Sequence, residues 1–420
     1  MIDYLKEFDE YIIKEKELIE KQVRFYRNKI EILNTWTRRE VYLTLYKDGR
    51  KMAFSIENPD KKKIKNRVEK AKKFFKFIPP SPFSISIDRN YSNKKVYDEN
   101  VIDEEKILDI ANKVINLSDG ETAGSLYSRI EDIRLINSRG IDEFDKNSMF
   151  YISSRMIKND NSAHYNFCSR KIDEIDEKGI EEAKEYINQK IKFKKVKEGK
   201  YKVLFSPLAF ANLSSNFADF SSAFLVKSGY SFMDKKIGKK IANEKISIYD
   251  SGIEKNGLFS RKFDDEGVAT RKTVIVKDGI LKNYLHNSTT AKEYGKNTTG
   301  NAGIVVPTPW NTIIRKGDRK KEEMMEELNG IFITNIWYTR FKNYRTGDFS
   351  TVARDMAFLV KKGEILYALK GIRISDNIEK IFKNIEEISK ERKQIYWWET
   401  SHPVFSPFAK VKNVNVTTGL

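Results

Sequence analysis

"KIKFKKVKEGKYKVLFSP", residues 190 to 207, is where the chain changes texture. A highly charged run gives way at Tyr201 to an apolar strand pattern, and Pro207 then ends the strand and suits the first position of a helix. Upstream, helical periodicities alternate with hairpins. Downstream, short strands are broken by "DSG", "KNG", "KDG", "TGNAG", "RKGD", "RTGD" and "KKGE", the punctuation of a mostly antiparallel β domain. The expected fold class is therefore α+β. Residues 1–195 are expected to form an N-terminal α/β domain with antiparallel hairpins flanked by helices, and residues 196–420 a mainly antiparallel β domain with a few helices.

Within the N-terminal half, Leu5, Phe8, Ile12 and Ile19 have the spacing of an amphipathic helix. Alternating apolar residues at Ile30 and Ile32, then at Val41, Leu43 and Leu45, lead through "KDGR" to Met52, Phe54 and Ile56, which reads as a hairpin turning at Asp48-Gly49. Asn58 and Pro59 cap a basic helix carrying Ile64, Val68 and Ala71, and "FKFIPPSPFS" is a loop. Asp103 caps a helix through Ile107, Ile110 and Val114. Two or three strands surround "INSRG", and a helix spans about residues 174 to 190. In the C-terminal half a helix begins near Pro207, and another starts at Asp376 with Ile378, Ile381, Ile385 and Ile388 as its apolar stripe.

Composition narrows the function classes. With 40% hydrophobic and 33% charged residues over 420 positions the chain is globular, of two or three domains at the usual ~150 residues each. No apolar run approaches the ~18 residues of a membrane span, and "MIDYLKEFDEYIIKEKE" lacks a signal-peptide layout, so a cytoplasmic location is expected. The single cysteine, Cys168, excludes an internal disulfide framework. A net charge of +18 raises nucleic-acid association, yet the lysine-rich runs are separate and "DKKKIKNRVEKAKKFFK" has the spacing of a solvated helix face.

The chemistry-bearing residues are few. A hydrolytic zinc site draws three ligands from His, Cys, Asp and Glu, whereas His164, His286 and His402 are isolated from one another in sequence. His164 and Cys168 lie four apart, but in a strand pattern. "LSSNFADFSSAF", residues 213 to 224, is rich in serine, without a G-x-S-x-G elbow. "FDDEG", residues 263 to 267, gathers three carboxylates, and a turn is the favoured reading over an acid–base site. "NIWYTRFKNYRTGDFS" reads as strand, turn and strand in preference to a stacking surface for single-stranded nucleic acid.

In order, "FDDEGVATRKTVIVKDGILKNYLHNSTTAKEYGKNTTGNAG", "PTPWNTIIRKGD" and "TGDFSTVARDMAFLVKKGEILYALKGIRISDNI" closely resemble the C-terminal domain of the TldD/PmbA family. The "KDGR" hairpin and the "INSRG" turn extend the resemblance thinly over the N-terminal half. The family has two related kinds of subunit assembled as a heterodimeric zinc peptidase. TldD-type chains carry HExxxH on a helix and a cysteine near the C-terminus; PmbA-type chains, also called TldE, lack them. Here the resemblance places that motif on "SSNFAD", with Ser214, Ser215 and Asp219 at the ligand and base positions. "YWWETSHPVF" has no cysteine, and His402 within it is expected to find no partners on the helix.

The resemblance thus implies a noncatalytic PmbA/TldE-type subunit with no metal of its own, zinc residing in a TldD-type HExxxH partner, and peptides or unfolded segments as substrate. A homodimeric peptide-binding protein is the alternative, with a basic nucleic-acid-associated protein behind it. Asp265, Glu266, Gly267, Gly300, Asn301, Gly347 and Asp348 match family motifs, and turn geometry accounts for most of them.

Overall fold

The computed structural model describes residues 2–418 apart from Asn93, Asp173 and Glu174. Glu174, the first residue of one expected helix, lies outside the described residues. The chain forms two sheets with helices packed on them, an α+β fold. Strands β1 (Glu10–Tyr26), β2 (Lys29–Lys47), β3 (Arg50–Glu57), β4 (Glu121–Asn137), β5 (Asp142–Lys158) and β6 (Asn161–Ser169) make the first sheet, antiparallel throughout in the order β3-β2-β1-β4-β5-β6. The β2–β3 hairpin turns as expected, with φ of 50° at Asp48 and 73° at Gly49.

The two faces of this sheet have different work. Ile13, Val41, Leu43, Leu45 and Ile56 receive helix α1 (Lys61–Phe74) through Ile64, Val68 and Ala71. Farther along the same face, Val23, Phe25, Leu126 and Ile152 receive α2 (Glu104–Leu117) and α3 (Glu177–Ile187). The opposite face carries Ile12, Ile133 and Leu135 and packs against Phe263 of the second half. Double coverage explains why the expected N-terminal helix is a strand. Ile12 and Ile13 are both buried, on opposite faces, so the alternation that marks a strand is absent and the surviving spacings imitate a helix. Leu5 and Phe8 precede the strand, the former in a short 3-10 turn, Ile2–Leu5. The cap of α1 is Asp60, whose carboxylate accepts from Lys63 N, one residue beyond the expected Asn58-Pro59.

The second sheet is mixed. Strand Val404–Thr418 runs through its middle, antiparallel to Gly199–Phe205 and parallel to Thr312–Ile314, while Asn329–Asn343 lies parallel to Gly199–Phe205. Phe193–Lys195 joins the far edge, parallel to Glu364–Lys370. Glycine turns signal local hairpins, and parallel neighbours distant in sequence leave no such mark. The expected helix from Asp376 is also shorter than its apolar stripe. Ile378–Lys383 is helical, whereas Ile385 and Ile388 belong to the strand Ile385–Ile395 paired with Val404–Thr418. All four isoleucines are buried, so the burial expectation survives while the period does not.

Candidate functional site

Helix α4 (Pro207–Asp219) lies in the core of the second half. Ser206 caps it, its hydroxyl accepting from Ala209 N at 3.2 Å, and Pro207 occupies the first turn, where no amide hydrogen is needed. Its rotation is set by aromatic packing. Phe217 stacks on Phe382 at 3.9 Å between ring centroids, and Phe210 stacks on the same ring at 5.5 Å. Burial on nearly every side makes this an interior helix, and its small serines allow close approach of neighbouring strands.

That rotation aims Ser215 and Asp219, one turn apart, at the loop before Val404. Ser401 Oγ donates to Asp219 Oδ2 at 2.7 Å and lies 3.0 Å from Ser215 Oγ, which accepts from Ser401 N at 3.2 Å. His402 Nδ1 is 2.9 Å from Ser401 Oγ and 3.4 Å from Asp219 Oδ1, and its Nε2 is 2.7 Å from Thr312 Oγ1. One tautomer satisfies all of these contacts: Nδ1–H donates toward Ser401 and Asp219, and Nε2 accepts from the Thr312 hydroxyl. His402 thus has partners on α4, contrary to expectation. The helix and the loop lie 182 residues apart in sequence, and only the central strand brings them together. One turn earlier, Asn212 donates to Glu399 Oε2 at 2.9 Å and accepts from Thr339 at 2.7 Å, a second tie between helix and loop. Ser214 Oγ is buried without a hydrogen-bond partner.

These residues do not fit a metal. Both ring nitrogens of His402 are engaged, Ser214 and Ser215 supply neutral hydroxyls, and Asp219 is the one carboxylate in contact with His402, Glu399 being taken up by Asn212 one turn earlier. Among the described residues no group of three or more His, Cys, Asp or Glu is placed to hold an ion. His164 and His286 lie elsewhere, each pushed down to about 4, chiefly by burial. His164 sits where the halves meet, between Ser153 and Asn335, on a strand as its flanking alternation indicates.

The motif positions form a separate assembly. Asp264 accepts from the amides of Glu266, Val268 and Ala302, which closes the "FDDEG" turn and holds it to the following loop. Burial and the neighbouring Glu266 carboxylate push the Asp264 carboxyl above its ordinary range. Asp265 and Glu266 reach across to the first sheet, pairing with Lys14 at 2.6 Å and Lys51 at 3.0 Å, and Ser288 N donates to Glu266. Gly267 adopts φ of 87°, and a Cβ there would fall 2.8 Å from Leu135. Gly300 accepts from the Trp310 indole at 2.8 Å, and Asn301 donates to the buried Asp250. Asp265, Glu266 and Gly267 therefore come together as a clasp between the halves, while Gly300 and Asn301 make their contacts within the second half. Gly347 and Asp348 stand apart, in a turn where Asn377 and Thr346 donate to Asp348 and hold its carboxyl below the usual range. Ser401, Thr312 and Glu399, which complete the α4 cluster, are invisible in the sequence because a lone serine, threonine or glutamate carries no spacing signal.

Comparisons with known proteins agree with this architecture. The PmbA/TldA metallopeptidase C-terminal domain matches residues 198–418. A protein of Methanocaldococcus jannaschii is 30% identical over 88% of this chain and 92% of its own. The metalloprotease PmbA homolog of Buchnera aphidicola is 26% identical over 84% of this chain and 81% of its own. The crystal structure of TldE from Thermococcus kodakarensis superposes with a TM-score of 0.86 at 23% identity, covering 99% of this chain and 98% of that one.

Proposed function

Because the chain belongs to the PmbA/TldD metallopeptidase family, we propose that it is a PmbA/TldE-type subunit without metal chemistry of its own. It pairs in the cytoplasm with a TldD-type subunit that carries HExxxH and zinc, and it contributes to the handling of peptides or unfolded segments. The observation that carries this reading is the closed hydrogen-bonded set Ser215, Asp219, Ser401, His402 and Thr312. A helix and a C-terminal loop meet here as they would around an ion, and hydroxyls with one imidazole fasten them instead. The fastening keeps the shape of the subunit while leaving nothing to activate water.

Tagged chain co-expressed with a TldD-type protein of the same organism tests the reading, with zinc measured by plasma emission and peptidase activity followed on casein. The isolated chain is expected to carry no stoichiometric zinc and no activity, both appearing in the co-purified pair. Stoichiometric zinc and activity in the isolated chain would overturn it. Peptide binding by a self-associated chain that ignores the HExxxH protein would favour the homodimer reading instead.

A further inference from the structure

The sheet face that meets the second half does not close completely. Between them lies a cavity of about 250 Å³, walled by Lys14, Lys16, Arg129 and Arg261 against one lining carboxylate, Glu131. Lys16 pairs with Glu131 at 3.0 Å and Lys14 with Asp265 at 2.6 Å, which leaves the two guanidinium groups only longer ion pairs, with Arg261 also stacked on Trp310 at 3.9 Å. Arg129 approaches Glu20 at 3.6 Å and Glu131 at 3.4 Å, and Arg261 comes no nearer than 3.7 Å to Asp265. Behind the wall, Lys95 and Arg170 both donate to Asn147 Oδ1 at 3.1 Å, with Asp145 as the local counter-charge. Six cations thus face Glu131, Asp265, Asp145 and the more distant Glu20.

The donors are unfinished as well. Arg261 Nε and Asn147 Nδ2 are buried and have no hydrogen-bond partner, Arg129 Nε has only the 3.4 Å approach to Glu131, which is not aligned as a hydrogen bond, and Asn147 as a whole is only 8% exposed. An excess of buried cations with unsatisfied N–H groups is costly by itself and is relieved by an anion that accepts several of them. The cavity also has a neighbour. Ile304 borders both it and an open groove of about 720 Å³ walled by Met52, Ile78, Pro79, Pro80, Phe224 and Val305. The groove lies over β3 and the cavity over β1, two strand spacings or ~10 Å apart, about three residues of extended chain.

We propose that this interdomain site binds the C-terminal carboxylate of an apolar peptide, the carboxylate in the cation cavity and the preceding side chains in the groove. The inference rests on the peptide-handling role for its class of ligand and stands apart from the pairing with a metal-bearing subunit. An acetylated pentapeptide of leucine and valine with a free carboxylate, titrated calorimetrically into the isolated full chain, provides the test. The same peptide as its C-terminal amide and inorganic phosphate complete the set.

The acid is expected to bind at one site per chain, and the amide at least ~10-fold more weakly, as loss of a charge-assisted pair requires. Arg129→Gln and Lys16→Met are each expected to weaken the acid by a similar factor. Phe224→Ala is expected to weaken acid and amide alike, and a thermal melt of each variant confirms folding. Equal binding of acid and amide, or no binding of the acid, would overturn the proposal. Phosphate that binds stoichiometrically and is not displaced by the acid would overturn it in favour of a phosphate-bearing ligand. Carboxylate-dependent binding by a chain that fails to co-purify with the HExxxH protein would refute the pairing alone; co-purification without carboxylate dependence would refute this site alone.

Discussion

The cluster on α4 and the cavity between the halves are built from similar polar donors and end in opposite states. Around Ser401 and His402 each donor meets an acceptor within 3.4 Å, and the ring is neutral apart from Asp219. In the cavity the charges are many, and Arg261 Nε and Asn147 Nδ2 have no acceptor. A closed network fixes a shape, whereas an open one is poised for something that completes it. The contrast separates a position held by complete hydrogen bonding from one where the structure leaves room for a ligand.

Breaking the closed network should have the larger effect. His402→Ala removes a buried ring and strands the Thr312 hydroxyl, so a loss of about 2–4 kcal/mol in urea unfolding is expected. A loss below about 1 kcal/mol would mean that the ring is not a fastening.

The open cluster should reveal itself by pH. Burial pushes the Lys95 ammonium down to about 8 despite Asp145, with Arg170 and Arg261 adding repulsion. The unfolded chain, with an ordinary lysine near ~10.4, then holds more protons than the folded one between these values, so this group makes stability rise with pH through that window. Stability of the unmodified chain relative to Lys95→Met is expected to rise by on the order of 2 kcal/mol between pH 8 and about 10. A flat difference would show that the crowding is absent.

The smallest effect belongs to Ser214. Its hydroxyl is buried without a partner, so Ser214→Ala should leave stability unchanged or raise it by roughly 0.5 kcal/mol through better helix propensity. A clear loss would reveal a role for the hydroxyl that its surroundings do not show.

Much of this was legible locally. The Asp48-Gly49 hairpin, the faces of α1 and α2, the helix at Pro207 and the "FDDEG" turn follow from turn chemistry and periodicity within a few residues. The strand at Ile12 and Ile13 and the fate of Ile385 and Ile388 did not, because burial on both faces and pairing with distant strands override local period. The acids of "FDDEG" were legible as a turn, but not as the clasp they form with Lys14 and Lys51, 251 and 215 residues away.

The sequence by itself determined that the zinc motif is missing, since no histidine stands between His164 and His286. Only the tertiary structure decided what Ser215 and Asp219 meet, and where the lysines and arginines leave a charge uncompensated. Ligand identity is written in residue types, but the satisfaction of a donor depends on groups that the chain brings together from its far ends.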